Sequence, residues 1–169
     1  QDRRYFLFAN PHKPDTVRAA GKFAASLIDR KCMVSLDGWL HDLLKVGDRS
    51  ELSDIAVGIN AIIAFGGDGT LLRCLPVAAQ QGVPVLGINM GHTGFLLELA
   101  PEMIGNGTER LIKGDYRLEE RMMLRCTMDD GFTALVMNDV AVSRGHNPSS
   151  ICVWAYADDE LIYKNHGDG

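Results

Sequence analysis

The 169-residue sequence has no Cys-x-x-Cys pair and no Cys/His spacing suited to zinc; its four cysteines, Cys32, Cys74, Cys126 and Cys152, lie far apart. A zinc module and a disulfide scaffold are both excluded as readings. Reduced, buried, structural thiols are expected, and with them a cytoplasmic location. No apolar run approaches the ~20 residues needed to cross a bilayer, and the first residues show no signal pattern, so no membrane partner is expected. Two nucleotide-binding signatures are also missing. There is no Gly-x-x-x-x-Gly-Lys-[Ser/Thr] loop and no Gly-x-Gly-x-x-Gly fingerprint, which disfavours P-loop NTPases and ordinary Rossmann dehydrogenases. An excess of positive charge is lacking too, with 17 Lys+Arg against 22 Asp+Glu. Residues 1–31 carry a local charge of +4 and the remainder −9. A mildly acidic body is a poor match for a nucleic-acid backbone, so no nucleic-acid partner is expected. The positive start reads as a solvated helix face.

What is present is an ordinary globular composition, 46% hydrophobic and 23% charged, long enough for one full domain or two small ones. Tyr5 to Ala9 is a short apolar run ended by Asn10-Pro11, a turn signal. From Asp15 to Arg30 apolar residues recur at helical spacing, and Cys32 to Leu36 reads as a second strand. Trp39 to Val46 suits a short helix, and Gly47 to Ser53 a loop. Ala61 to Phe65 is apolar without alternation, as in a strand covered on both faces. A helix is expected from about Thr70 to Gln80, kinked or divided at Pro76, and Val83 to Asn89 is a further buried strand. Strand, helix and strand in this order imply right-handed crossovers and a parallel sheet. After about Tyr116 four strands are expected without intervening helices, over residues 118–128, 132–143, 151–157 and 161–164. Asp129-Asp130-Gly131 and Asp158-Asp159 supply turns between them. The fold class is therefore α/β: an open, mainly parallel sheet with flanking helices over residues 1–116. Residues 117–169 supply the opening antiparallel strands of a β-rich second domain.

Ligands in open α/β sheets sit beyond the carboxyl ends of the strands, which is where Gly66-Gly67-Asp68-Gly69 falls. Glycines let backbone amides come within hydrogen-bond distance of a phosphate, and the following helix N-terminus adds free N–H groups. Asp68 distinguishes this loop from a plain phosphate cradle. A carboxylate repels phosphate, so its use is a metal ion, a sugar hydroxyl, or proton abstraction from a nucleophile. An Asp between glycines also serves simply as an Asx-turn or N-cap residue.

The run Gly66-Gly67-Asp68-Gly69-Thr70-Leu71-Leu72-Arg73 closely resembles the signature of NAD kinases and, more loosely, of diacylglycerol, sphingosine and 6-phosphofructokinases. A second stretch, Leu86-Gly87-Ile88-Asn89-Met90-Gly91-His92-Thr93-Gly94-Phe95-Leu96, is similar to the NAD kinase pattern in which a strand ends in Gly-x-Asn and runs into Gly-x-x-Gly-Phe-Leu. Met137-Asn138-Asp139-Val140 and Gly167-Asp168-Gly169 resemble a third and a fourth motif, in the right order. The resemblance implies a bacterial-type NAD kinase, which transfers the γ-phosphoryl of ATP or of polyphosphate to the adenosine ribose 2′-hydroxyl of NAD. A divalent metal (Mg or Mn) is implied as cofactor, with metal ligands unassigned, and a homo-oligomer as the assembly. Asp68 takes the place of the catalytic base. Asp68, Gly69, Arg73, Phe95, Asn138, Asp139, His166 and Asp168 match NAD-binding positions, and Gly66, Gly67, Gly69 and Thr70 form the phosphate loop.

The sequence departs from the pattern in three places. His166 stands where many members carry Arg, a weaker and pH-dependent cation. Ser149 falls where some members have His. The resemblance also implies that Gly167-Asp168-Gly169 should lead into a Thr-Pro-Thr-Gly-Ser-Thr-Ala-Tyr-like segment, so a chain truncated at its C-terminus is expected, with little activity of its own. Two alternatives stand beside the kinase. One is a lipid or sphingoid-base kinase sharing only the Gly-Gly-Asp-Gly-Thr loop, and the other is a nucleotide-binding fragment without catalysis.

Overall fold

The computed structural model describes residues 3–55, 57–91, 96, 99–146 and 148–169. Its first part is a five-stranded parallel sheet made of β1 (Arg4–Ala9), β2 (Met33–Asp37), β3 (Asp48–Ser50), β4 (Ala61–Gly66) and β5 (Val85–Asn89), in the spatial order β3-β2-β1-β4-β5. The helices are α1 (Pro14–Asp29), α2 (Gly38–Leu44), α3 (Asp68–Gln81) and α4 (Ile104–Lys113). β1 and β4 are central, and strand order reverses between them. Their side chains therefore alternate between two cores. Tyr5, Leu7 and Ala9 of β1 join Ala61, Ile63 and Phe65 of β4 under α1 and α4. Phe6 and Phe8 join Ile62 and Ala64 under α3. Double coverage explains why these strands read as unbroken apolar runs.

α1 starts with Pro14 at its first turn, where the missing N–H is harmless, and presents Ala20, Phe23, Ala24 and Leu27 to the sheet. Phe23 meets Phe65 edge to face, with ring centroids 5.6 Å apart at 77°. α3 runs from Asp68 through Pro76 to Gln81 without the division expected there. Burial of Leu71, Cys74 and Ala78 against the sheet outweighs the local penalty of one proline. Gly82 closes the helix in the left-handed conformation at φ 64°. The stretch read as a loop over residues 47–53 contains β3, a three-residue edge strand.

Beyond α4 the chain forms antiparallel ribbons. β6 (Leu124–Thr127) pairs with β7 (Thr133–Val136), and β8 (Ile151–Ala157) with β9 (Glu160–Gly167). Among the described residues these are two separate two-stranded sheets, not one four-stranded sheet. β6 and β7 are also shorter than expected. Among the described residues no helix is long and apolar enough to cross a membrane.

The cysteines divide in two groups. Cys32 and Cys74 are buried as expected, whereas Cys126 is half-buried and Cys152 lies exposed on β8. Burial pushes the Cys74 thiol up to about 12, which removes its thiolate at neutral pH. A thiol reagent at neutral pH is expected to label Cys152 first and Cys126 more slowly, with Cys32 and Cys74 reacting only on unfolding; labelling of Cys74 in the native protein would contradict this packing. Phe23→Ala is expected to destabilise the fold by about 3–5 kcal/mol, read from denaturant unfolding.

Candidate functional site

The site is built where β4 ends. Gly66 is its last residue, Gly67 caps α3 in extended conformation (φ −109°), and Asp68 is already the first residue of the helix. The helix thus begins two residues earlier than the sequence suggests. A carboxylate in the first turn is favoured by the partial positive charge of the helix end, so Asp68 is stabilised where it stands. Its Oδ1 accepts the Leu96 N–H at 3.3 Å, which ties the segment after β5 to the loop. Two backbone bonds stitch neighbouring strand exits to β4: the Asn10 N–H donates to the Phe65 carbonyl (3.0 Å) and the Met90 N–H to the Gly66 carbonyl (2.8 Å). The exits of β1, β4 and β5 therefore form one rigid rim, with Asn89 Oδ1 accepting the Gly91 N–H at 3.0 Å.

The loop glycines have different reasons to be glycine. A Cβ on Gly66 would lie 2.1 Å from Thr70 Oγ1, so Gly66 is required by packing. Thr70 itself is 6% exposed, and its N–H donates to the Gly67 carbonyl at 2.9 Å. Gly69 is exposed, lies inside α3, and a Cβ there would meet nothing within 4 Å. Glycine in a helix is less stable than alanine by roughly 0.5–1 kcal/mol, and nothing in the chain offsets that. Its bareness leaves room for something from outside.

Arg73 lies one turn further on and stacks its guanidinium 5.0 Å from the centre of the Phe8 ring. It leans across β1 towards β2, whose alternation turns Asp37 onto the same face. Asp37 is 7% exposed, and burial, reinforced by Glu51, pushes its carboxyl up. The Arg49–Glu51 ion pair (3.0 Å) lies over Gly38, where any side chain would collide with it.

The other expected residues are distributed unevenly. β7 packs against α3, and Asn138 and Asp139 follow just past the end of β7, both exposed. Met137 lines the same hollow as Leu71 and Leu75. That hollow, about 560 Å³, runs along the open edge of β5 rather than over the glycine loop. His166 and Asp168 are held on the β8–β9 ribbon by partners of their own. His166 Nε2 is 3.0 Å from Ser150 Oγ, and Asp168 pairs with Arg144 at 3.1 Å, while the Arg144 N–H donates to the Asp168 carbonyl. Sequence reading did not single out Arg144, because no local pattern signals a pairing across 24 positions. His92 and Phe95 lie outside the described residues. Among the described residues no three His, Cys, Asp or Glu side chains converge as a metal cage.

Gly66→Ala and Gly69→Ala are expected to act with opposite signs. The first forces Thr70 to shift and destabilises by about 1–3 kcal/mol, and the second stabilises by about 0.5–1 kcal/mol. Equilibrium denaturation of both variants checks this, and a shared sign would refute the assignment of their roles.

Residues 6–116 match the family model described as the ATP-NAD kinase N-terminal domain. The chain is 36% identical over 164 residues to the NAD kinase of Heliobacterium modesticaldum, covering 95% of this chain and 58% of that one. It is 37% identical over 157 residues to the NAD kinase of Teredinibacter turnerae, covering 88% and 53%. The chain thus spans just over half the length of these curated relatives. Its fold is shared by a yeast NADH kinase solved in complex with NADH, with a TM-score of 0.81 at 18% identity over 99% of this chain and 56% of that one. An NAD kinase from Archaeoglobus fulgidus, solved in complex with ATP, gives a TM-score of 0.62 at 20% identity over 98% and 58%. With the family model matched over residues 6–116, about two thirds of its length, the chain belongs to the ATP-NAD kinase family.

Proposed function

We propose that this protein phosphorylates NAD to NADP, taking the phosphoryl group from ATP or polyphosphate, and that Asp68 is the general base. The observation that carries the reading is the position of Asp68: first residue of α3, at the exit of a central strand, beside the point where strand order reverses. A sugar hydroxyl is a weak nucleophile, and a carboxylate within about 3 Å accepts its proton as attack proceeds. The bond from the ribose 2′-oxygen to the γ-phosphorus forms as the bond from that phosphorus to its bridging oxygen breaks. The hydroxyl proton passes to Asp68, and the electron pair leaves with ADP or the shortened polyphosphate. Positioning and charge neutralisation carry most of the acceleration in such transfers.

Gly69 keeps the backbone clear for the nucleotide, and Arg73 supplies positive charge. Asn138 and Asp139 receive the adenosine half of NAD, with Phe95 beside it. His166 and Asp168 contact the dinucleotide from the ribbon. In the phosphate loop Gly66, Gly67 and Gly69 expose backbone, whereas Thr70, itself buried, packs against Gly66. A divalent cation such as Mg or Mn supplies charge neutralisation on the phosphate chain when bound. Magnesium takes most of its ligands from phosphates and water, so it would need few from this chain. We also read residues 1–116 as the nucleotide-binding domain and 117–169 as a separate antiparallel unit. The exposed aromatic ribbons favour a homo-oligomer, and the cysteine pattern a cytoplasmic location.

In the product of the intact gene, Asp68→Asn is expected to lower NADP formation by about 10²–10⁴-fold, with NAD binding kept within a few-fold. An enzymatic assay for NADP together with calorimetric titration of NAD checks both parts. Unchanged turnover in Asp68→Asn would remove this residue from the chemistry.

A further inference from the structure

The loop after β1, which the kinase reading leaves without a task, brings a cation to the exit of β5, beside the glycine loop. β1 and β5 are separated by β4, so their ends lie about 10 Å apart at normal strand spacing. Lys13, at the head of α1, nevertheless brings its Nζ to the exit of β5: a Cβ built on Gly91 would lie 2.9 Å from it. The exit of β5 is bonded to the carboxyl end of β4 through the Met90 N–H and the Gly66 carbonyl, so the ammonium lies beside the point where Gly66 and Gly67 emerge. This is the switch point of the sheet, the crevice where α/β folds take ligands.

The approach is pre-set by the loop. Asn10 Oδ1 accepts the His12 N–H at 3.0 Å, and the Asn10 N–H is bonded to β4. The buried Thr16 hydroxyl lies 2.8 Å from the Asn10 carbonyl and 2.6 Å from the Lys13 carbonyl, donating to one at a time. Pro11 and Pro14 stiffen the turn. Lys13 forms no ion pair within 4.0 Å among the described residues, and the nearby Asp15 faces Arg18 at 3.7 Å. A lysine at this rim, beside glycine backbone and with no acid partner among the described residues, is a point-charge seat for phosphate.

We infer that Lys13 binds the phosphate chain of the phosphoryl donor, holding it over Gly66–Gly67 with its end towards Asp68. This rests on the kinase reading for the word donor, while the anion seat stands on geometry alone. Lys13 also offsets the repulsion that Asp68 exerts on an incoming phosphate. The pyrophosphate of NAD is the competing occupant, and it differs in length and in its two nucleoside ends.

Titration calorimetry of the chain, of Lys13→Gln and of Lys13→Arg, with inorganic tripolyphosphate, ATP and NAD as separate probes, tests this. Lys13 is exposed, so both variants are expected to fold, with circular dichroism as the control. Lys13→Gln is expected to weaken phosphate-chain binding about 10- to 100-fold, Lys13→Arg to recover most of it, and NAD to be unaffected. A loss with both tripolyphosphate and ATP supports the proposal with a shared seat. A loss with only one supports it and names the source of the donor. No Lys13-dependent loss with either, or a matching loss with NAD, overturns it. If Lys13-dependent binding is found but the intact gene product forms no NADP, the kinase reading fails and the anion seat remains.

Discussion

Everything at the site depends on β4 being clamped between β1 and β5 and covered on both faces. The register is continuous, from Tyr5 against Ala61 to Ala9 against Phe65 on one side, and from Ile62 against Val85 to Gly66 against Asn89 on the other. A strand buried this way has no freedom to slip, because a shift of one residue would exchange the two cores. The point at which Gly66 leaves the sheet is therefore fixed by the register. The short backbone bonds to Asn10 and Met90 carry that precision outward to the neighbouring loops. An acid at the first residue of α3 then inherits a defined position without needing a side-chain scaffold of its own.

The electrostatics follow from the same frame. Asp68 sits at the favourable end of a helix dipole, and Arg73 lies on Phe8 within the field of the buried Asp37. Exposed pairs such as Lys113–Glu109 and Arg121–Glu119 contribute little by comparison.

The parts of this arrangement that were legible in the sequence are those whose burial is two-sided or whose turns are chemically marked. Ala61 to Phe65 followed by two glycines announces a central strand and its exit, and Ile151 to Ala157 coincides with β8. β3 was not legible, because three residues at a sheet edge carry no apolar pattern. α4 escaped for a different reason. Gly105 and Gly107 depress its helix propensity, and only the burial of Ile104, Thr108 and Leu111 against the sheet side of α1 holds it. Asp68 was expected in a loop and stands in a helix, since the backbone of Gly67 already turns the chain. The ribbons were foreseen as strands but not as separate pairs, because alternation along a strand does not say which strand lies next to it. Lys13 carries no local signal at all. Its meaning comes from the sheet order, which sets the β1 exit beside that of β4.

That order has a consequence for the birth of the molecule. β1 leaves the ribosome before either of its partners, and one of them, β4, is made more than fifty positions later. Until then one edge of Tyr5–Ala9, apolar on both sides, stays open to other nascent chains. A crowded translation line would meet that sticky ribbon before the sheet could close over it.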